Sequence, residues 1–464
     1  MVGKKQKSGI FAVGEKHNKM VNRKIYNYLK DFFLNDKKSL LVTGARQVGK
    51  TYAIRKVGET IFKHFVEFNF IKNPKLKTIF ANPLDTNDIL LRLSAMTDTK
   101  LEAGNTLIFF DEVQECPEIV TAIKFLVDEG SYRYVMSGSL LGVELKDLRS
   151  VPVGYMAEKE MFPLDFEEFA LALGMSDEVM QHLQNSYKKR TPVDSVVHEK
   201  MMELLRLYLV IGGMPAVVQK YLETNNMQDV RHEQENIIKL YKKDIAKYAD
   251  NKLSIKEIFD RIPSELNAQN KRFILKSLND RAKFEKYENS FLWIADAGVA
   301  LPTYNIDKPC VPLKLNEQRN LFKLFLNDVG LLACMYSSGF QLNIMIGEIN
   351  ANFGAVFENF AAQELRSHGY DLYYFNSKKQ GELDFVIEHD GQALPIEIKS
   401  GKDYKRHNAL SNVMSNAEYA IKEAFVFTTG NIEIRDKTVY LPVYLLMYLR
   451  EKELPNERIV FKPM

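Results

Sequence analysis

A multidomain α/β chain is the fold class this sequence predicts, on three observations. Apolar, strand-like runs alternate with amphipathic stretches from about 39 to 165. The segment "GARQVGKT" lies between one such run and a helical pattern. A second strand and helix alternation begins near 352. Such alternation implies a parallel sheet with helices on its faces. A chain of 464 residues also exceeds one core, so roughly two to four domains are expected.

In chain order, residues 1–36 read as an N-terminal arm and a helix. Residues 37–165 form the first α/β unit, with "SLLVTG", "HFVEFNF", "TLIFFDE" and "YRYVMSGS" as its strands. Residues 166–250 are mostly helical and are broken by "IGGMP" (211–215), a Gly-Gly-x-Pro stop. In 251–345, the short helices "SIKEIFDRI", "NKRFILKSLNDR" and "ENSFLWIADAGV" precede a proline-rich connection, "LPTYNIDKPCVPLKL". Three short helices followed by extended chain fit a winged-helix-like unit. Residues 346–464 open with the helix "NFGAVFENFAAQELRSHG" and continue in strands as a last α/β unit.

"GARQVGKT" (44–51) fits G-x-x-x-x-G-K-[ST] in full, between a strand and a helix. Gly44 and Gly49 let the backbone wrap a phosphate at a helix N-terminus, with Ala45, Arg46, Gln47 and Val48 between them. Lys50 reaches the β- and γ-phosphates, and the Thr51 hydroxyl can ligate Mg²⁺. "LIFFDE" (107–112) then puts two acids at the C-terminal end of a buried strand, where such sheets bind ligands. Asp111 would hold the Mg²⁺, and Glu112 would polarise the attacking water. The strand "YRYVM" ends in Ser137-Gly138-Ser139, a place for a polar group that senses the γ-phosphate. Oligomeric ATPases commonly use a trans-acting arginine, which makes a homo-oligomer one expectation. Arg133, Arg149, Arg272 and Arg281 are all candidates, and the sequence does not choose among them.

Composition narrows the rest. The formal charge of +3 gives bulk electrostatics no pull toward nucleic acid, so any basic surface must be local. Cys116, Cys310 and Cys334 are few, far apart and odd in number, which suits a reducing cytosol. They lack zinc spacing, and the histidines form no HxxxH cluster. No apolar run reaches the roughly 18 residues of a membrane span. The first residues are basic without an apolar core, unlike a signal peptide. A cytoplasmic protein with no membrane segment is the expectation.

Taken together, "LLVTGARQVGKT", "LIFFDEVQECPE", "YVMSGSLLGVEL", "MFPLDFEEF", "IGGMPAVVQKYL", "FLWIADAGVALP", "LFKLFLNDVGLL", "GAVFENFAAQEL" and "GELDFVIEHDGQALPIEIKSG" resemble one bacterial and archaeal family. It comprises AAA-type P-loop ATPases with a long, poorly characterised C-terminal region that ends in a restriction-endonuclease-like fold. The resemblance runs from about 20 to 405. It implies ATP and Mg²⁺ at Gly44 to Tyr52 with Asp111 and Glu112, a helical lid, a winged-helix-like middle and the nuclease-like end. In one departure, Tyr155 follows "PVG" where similar members often carry a base.

Metal-dependent nucleases of that fold use an acid on one strand and E-x-K on the next. Here Asp384 lies in "LDFVIE", with Glu397 and Lys399 in "PIEIK". A strand places i and i+2 on one face, so Glu397 and Lys399 point together while Ile396 and Ile398 face a core. Asp390-Gly391 supplies the hairpin turn that brings Asp384 beside them. Asp384, Glu397 and the Ile398 carbonyl could bind Mg²⁺, with Lys399 orienting water and Glu358, on the preceding helix, as an additional ligand. An ordinary charged hairpin satisfies the same pattern, because cross-strand charge pairs are common.

Two functions are therefore open. One is an ATP-hydrolysing protein that binds or acts on DNA through the winged-helix-like unit and the nuclease-like end. The other is a nucleotide-dependent regulatory switch or interaction protein whose nuclease fold is a non-catalytic scaffold. "NSKKQGE" and "KSGKDYKRHN" place basic residues around the second site, as phosphate contacts require.

Overall fold

The computed structural model describes residues 21–82, 85–139, 154–248, 251–268, 271–274, 278, 284–347, 353–401 and 405–451. Arg149 and Arg281 lie outside these residues.

The first unit begins with α1 (Lys24–Asn35), followed by β1 (Ser39–Thr43), α2 (Lys50–Ile61), β2 (His64–Asn69) and α3 (Thr86–Ala95). It continues with β3 (Thr106–Asp111), α4 (Glu118–Glu129), β4 (Arg133–Ser137) and β5 (Met156–Glu160). All neighbouring strands are parallel, in the order β2-β3-β4-β1-β5. β3 is buried along its whole length, as a continuous apolar strand covered on both faces must be. Its side chains alternate: Leu107 and Phe109 join one core, while Ile108 and Phe110 join the other with Phe68 and Tyr134. This parallel sheet is the type found in P-loop ATPase cores, as the sequence predicts.

A helical layer follows: α5 (Phe166–Ala172), α6 (Asp177–Lys189), α7 (Ser195–Ile211), α8 (Pro215–Thr224) and α9 (Met227–Tyr248). The predicted stop at "IGGMP" falls between α7 and α8, with Gly212 in a positive-φ conformation and Pro215 opening α8. Among the described residues, no single helix is long and apolar enough to cross a membrane. α7 and α8 pass that test only as a pair bent by 117°.

Next come α10 (Lys252–Asn267), α11 (Phe284–Asp296), β6 (Ala300–Ile306), β7 (Glu317–Leu326), α12 (Val329–Met335) and α13 (Ser338–Ile346). The chain ends with α14 (Gly354–Ser367), β8 (Tyr373–Ser377), β9 (Gly381–His389), β10 (Gln392–Lys399), α15 (Asn408–Ser415), β11 (Ala424–Thr428), β12 (Glu433–Arg435) and β13 (Thr438–Pro442). These strands build one mixed sheet, β12-β13-β11-β10-β9-β8-β6-β7.

Three expectations differ from this arrangement. The first part of the proline-rich connection is strand β6, in which Pro302 is tolerated because the ladder to β8 begins only at Tyr304. Residues 271–274 are not helical: the Phe273 N–H donates to the Phe322 carbonyl at 2.9 Å, and its ring packs on Phe291 and Phe322. Finally, the β6–β7 hairpin, which a separate winged helix would use as its wing, forms the edge of the C-terminal sheet. Strands from both sides of residues 345/346 share one sheet, and a single apolar core joins the helical layer to both sheets.

Candidate functional site

The phosphate-loop residues sit where β1 turns into α2. Gly44 (φ +122°) is glycine of necessity, since a Cβ there would lie 2.2 Å from the Met161 carbonyl oxygen. Gly49 (φ +94°) caps α2, whose first turn holds no acidic residue, leaving its positive end available to an anion. The loop is pinned from outside by buried Arg23, which donates to the Val48 carbonyl at 3.2 Å and pairs with Glu168 at 2.9 Å.

Lys50 is 8% exposed, and its ammonium donates to the Gly44 and Ala45 carbonyls at 2.8 Å each. Burial lowers its pKa to about 8 against the opposing pull of Glu112 and Asp111. Asp111 ends β3 with its carboxylate 3.2 Å from the Thr51 hydroxyl, and it also accepts from Ser137 and, at 2.8 Å, from Asn69. Burial raises its pKa, with Ser137 opposing. Glu112 has a left-handed backbone (φ +60°), a strained state for a non-glycine residue of the sort that clusters at functional sites. Gln114 Nε2 donates to its carboxylate at 2.6 Å.

Sequence reasoning brought Lys50, Thr51, Asp111 and Glu112 to this site, and the structure places them together. It missed Asn69, whose signal was its position at the end of a strand beside Asp111, and Gln114. It also missed a cavity of about 300 Å³ next to Gly49 and Tyr52, lined by Tyr26, Met161, Pro215 and Gln219 among others. Of the sensor candidates, Ser137 is committed to Asp111, while Ser139 lies 3.5 Å from Glu112. Arg133 starts β4, at the far end of that strand from Ser137. Tyr155 leaves its carbonyl to the Ser39 N–H, and Lys124 lies over its ring at 5.3 Å.

Residues 36–170 match the family model described as "AAA domain". The core is of the AAA, P-loop ATPase type. Residues 202–343 and 353–446 match two models described only as domains of unknown function (DUF8612 and DUF4143). No curated protein matches the chain. Among solved structures, a Walker-type ATPase of Pyrococcus abyssi is similar at 12% identity and a TM-score of 0.42, covering 68% of this chain and 96% of its own. A STAND-type signal transduction ATPase of Pyrococcus horikoshii aligns at 12% identity and 0.27, covering 75% and 45%. The RuvB Holliday junction branch migration motor of Thermotoga maritima aligns at 10% and 0.28, covering 60% and 89%. All three are loose likenesses by that measure.

The second constellation is also assembled. β9 and β10 form the expected hairpin, with Asp390 and Gly391 both at positive φ. Asp384 accepts from the Ile398 N–H at 2.8 Å, and Lys399 pairs with Glu397 at 2.7 Å on the same face. Glu358 arrives from α14, 2% exposed. Its carboxylate, however, is paired with Lys271, and buried Lys323 stands 3.9 Å from it and 2.7 Å from Glu382.

Burial drives Glu397 up to about 8, helped by the Asp384 charge. Burial also pushes Asp384 upward, but Lys271, Lys323 and Lys399 outweigh it and hold this carboxyl below its usual range. Among the described residues, no three His, Cys, Asp or Glu side chains converge as a metal requires. Of the expected Mg²⁺ ligands, Glu358 and Asp384 line one cavity with Lys271 and Lys399. Glu358 is paired with Lys271, and Glu397 with Lys399. Lys271 and Lys323 come from the middle segment, so nothing local to the hairpin sequence reveals them.

Proposed function

We propose that this protein binds and hydrolyses ATP, and that its C-terminal unit answers to the nucleotide without cutting nucleic acid. The observation that carries the first part is the convergence of Lys50, Thr51, Asp111 and Glu112 at the start of α2. Lys50 exchanges the Gly44 and Ala45 carbonyls for phosphate oxygens. Tyr26 and Tyr52 offer aromatic surface for the base beside Gly49. Thr51 and Asp111 fit Mg²⁺, which favours one or two protein oxygens plus phosphates, and would hold it. When bound, that ion supplies positive charge shared by the phosphate oxygens. Glu112, held by Gln114, draws the proton from water as the water attacks.

Of the two readings for the C-terminal unit, the Lys271–Glu358 pair favours the scaffold or switch. Support for DNA contact rests on exposed Lys378, Lys379, Lys405 and Arg406.

The test is nucleotide binding and turnover by the full chain and two variants. Lys50→Ala is expected to lose binding, and Glu112→Gln to bind ATP while turnover falls at least about a hundredfold. Unchanged turnover in both variants rules out the ATPase assignment.

A further inference from the structure

Arg46 is the third residue of the phosphate loop, and its guanidinium links three parts of the molecule. Nη1 pairs with Asp244 on α9 at 2.5 Å, and Nε donates to Ser139 Oγ at 3.2 Å. Ser139 Oγ in turn lies 3.5 Å from the Glu112 carboxylate. One hydroxyl therefore separates this cation from the group that activates water. The Arg46 backbone is held independently: Tyr241 donates to its carbonyl at 3.3 Å, and Gly298 packs so closely that a Cβ there would lie 2.9 Å from the neighbouring Ala45 nitrogen. A fixed backbone with a long side chain, 25% exposed, lets the guanidinium swing without moving the loop. A phosphoryl group offers several oxygens to the same planar fork.

We propose that Arg46 is the catalytic arginine of this ATPase, leaving Asp244 for the γ-phosphoryl group as that group is transferred. The proposal rests on the ATPase reading above. In the step, the bond from the γ-phosphorus to the bridging oxygen of ADP breaks and a bond to water oxygen forms. Glu112 takes the water proton, and ADP and phosphate leave. Arg46 meets the negative charge on the phosphoryl oxygens, the role an arginine finger plays when supplied in cis. Release of Asp244 from its partner then conveys the nucleotide state to α9 and the helical layer. None of the four arginines considered from sequence is needed for this.

The experiment uses the full chain, Arg46→Ala, Arg46→Lys and Asp244→Asn. It measures the affinity for fluorescent ADP with and without aluminium fluoride, and turnover with and without millimolar guanidinium. Arg46→Ala is expected to keep ADP affinity within about threefold and to lose most of the tightening that aluminium fluoride brings to the parent. Its kcat falls about a thousandfold, with KM little changed, and guanidinium restores part of it. Arg46→Lys falls between the two, and Asp244→Asn keeps the aluminium fluoride tightening.

A purely structural clamp predicts something else: Arg46→Ala and Asp244→Asn lose the same amount and guanidinium rescues neither, which overturns the proposal. Full turnover in Arg46→Ala overturns it while leaving the ATPase reading intact. A parent protein that neither binds nor hydrolyses ATP removes both.

Discussion

Lys271→Ala tests whether the Lys271 ammonium keeps a divalent cation from the second constellation. In the intact protein, Glu358 is 2% exposed and has Lys271 on one oxygen and Lys323 3.9 Å from the other. Removing one partner of a fully buried pair costs about 3–5 kcal/mol, because the remaining charge is stranded. Two features reduce that here: Lys271 is 27% exposed, and Lys323 remains near, although it is shared with Glu382 at 2.7 Å. The expected loss is therefore about 1–3 kcal/mol in urea unfolding without metal. The same change removes one positive charge from beside Glu358 and Asp384, leaving room for a divalent cation in the cavity of about 230 Å³ that they line. Mn²⁺ at a hundred times its Kd would return about 2.7 kcal/mol to the variant. Adding Glu358→Gln should abolish that gain. If Lys271→Ala is as stable as the parent without metal, or if Mn²⁺ stabilises the parent equally, the ammonium does not hold the site as argued.

Two other predictions are independent of this site. Burial holds the Lys50 ammonium near pKa 8, and phosphates raise it when they bind. Nucleotide binding is then flat below pH 8, takes up a proton above it, and weakens up to about tenfold per unit as pH rises further. Constant affinity up to pH 9.5 contradicts this. Gly213→Ala should cost about 3 kcal/mol, because a Cβ there would lie 2.0 Å from the Leu164 carbonyl oxygen and 2.8 Å from its nitrogen. Backbone bonds from Leu164 N–H to the Gly213 carbonyl (2.7 Å) and from Gly213 N–H to Asp328 (2.6 Å) prevent escape. Denaturant unfolding measures it, and a variant of parental stability refutes the clash.

The sequence alone determined what depends on neighbours along the chain. The loop 44–51 carries its chemistry in eight consecutive residues, and the acids after "LIFF" inherit their place from a buried strand. The Asp390-Gly391 turn and the period-two pattern set the face shared by Glu397 and Lys399. Tertiary structure decided which distant charges meet. Arg46 finds Asp244 across 198 positions and Lys271 finds Glu358 across 87. Neither pairing leaves a local trace, because a lysine or arginine in a charge-rich chain reads the same whether solvated or buried against an acid. Tertiary structure likewise gave β6 and β7 to the C-terminal sheet, since a strand's pattern shows which face is buried but not which edge it joins. Those long-range pairings tie the phosphate loop to α9 and α14 to the middle segment.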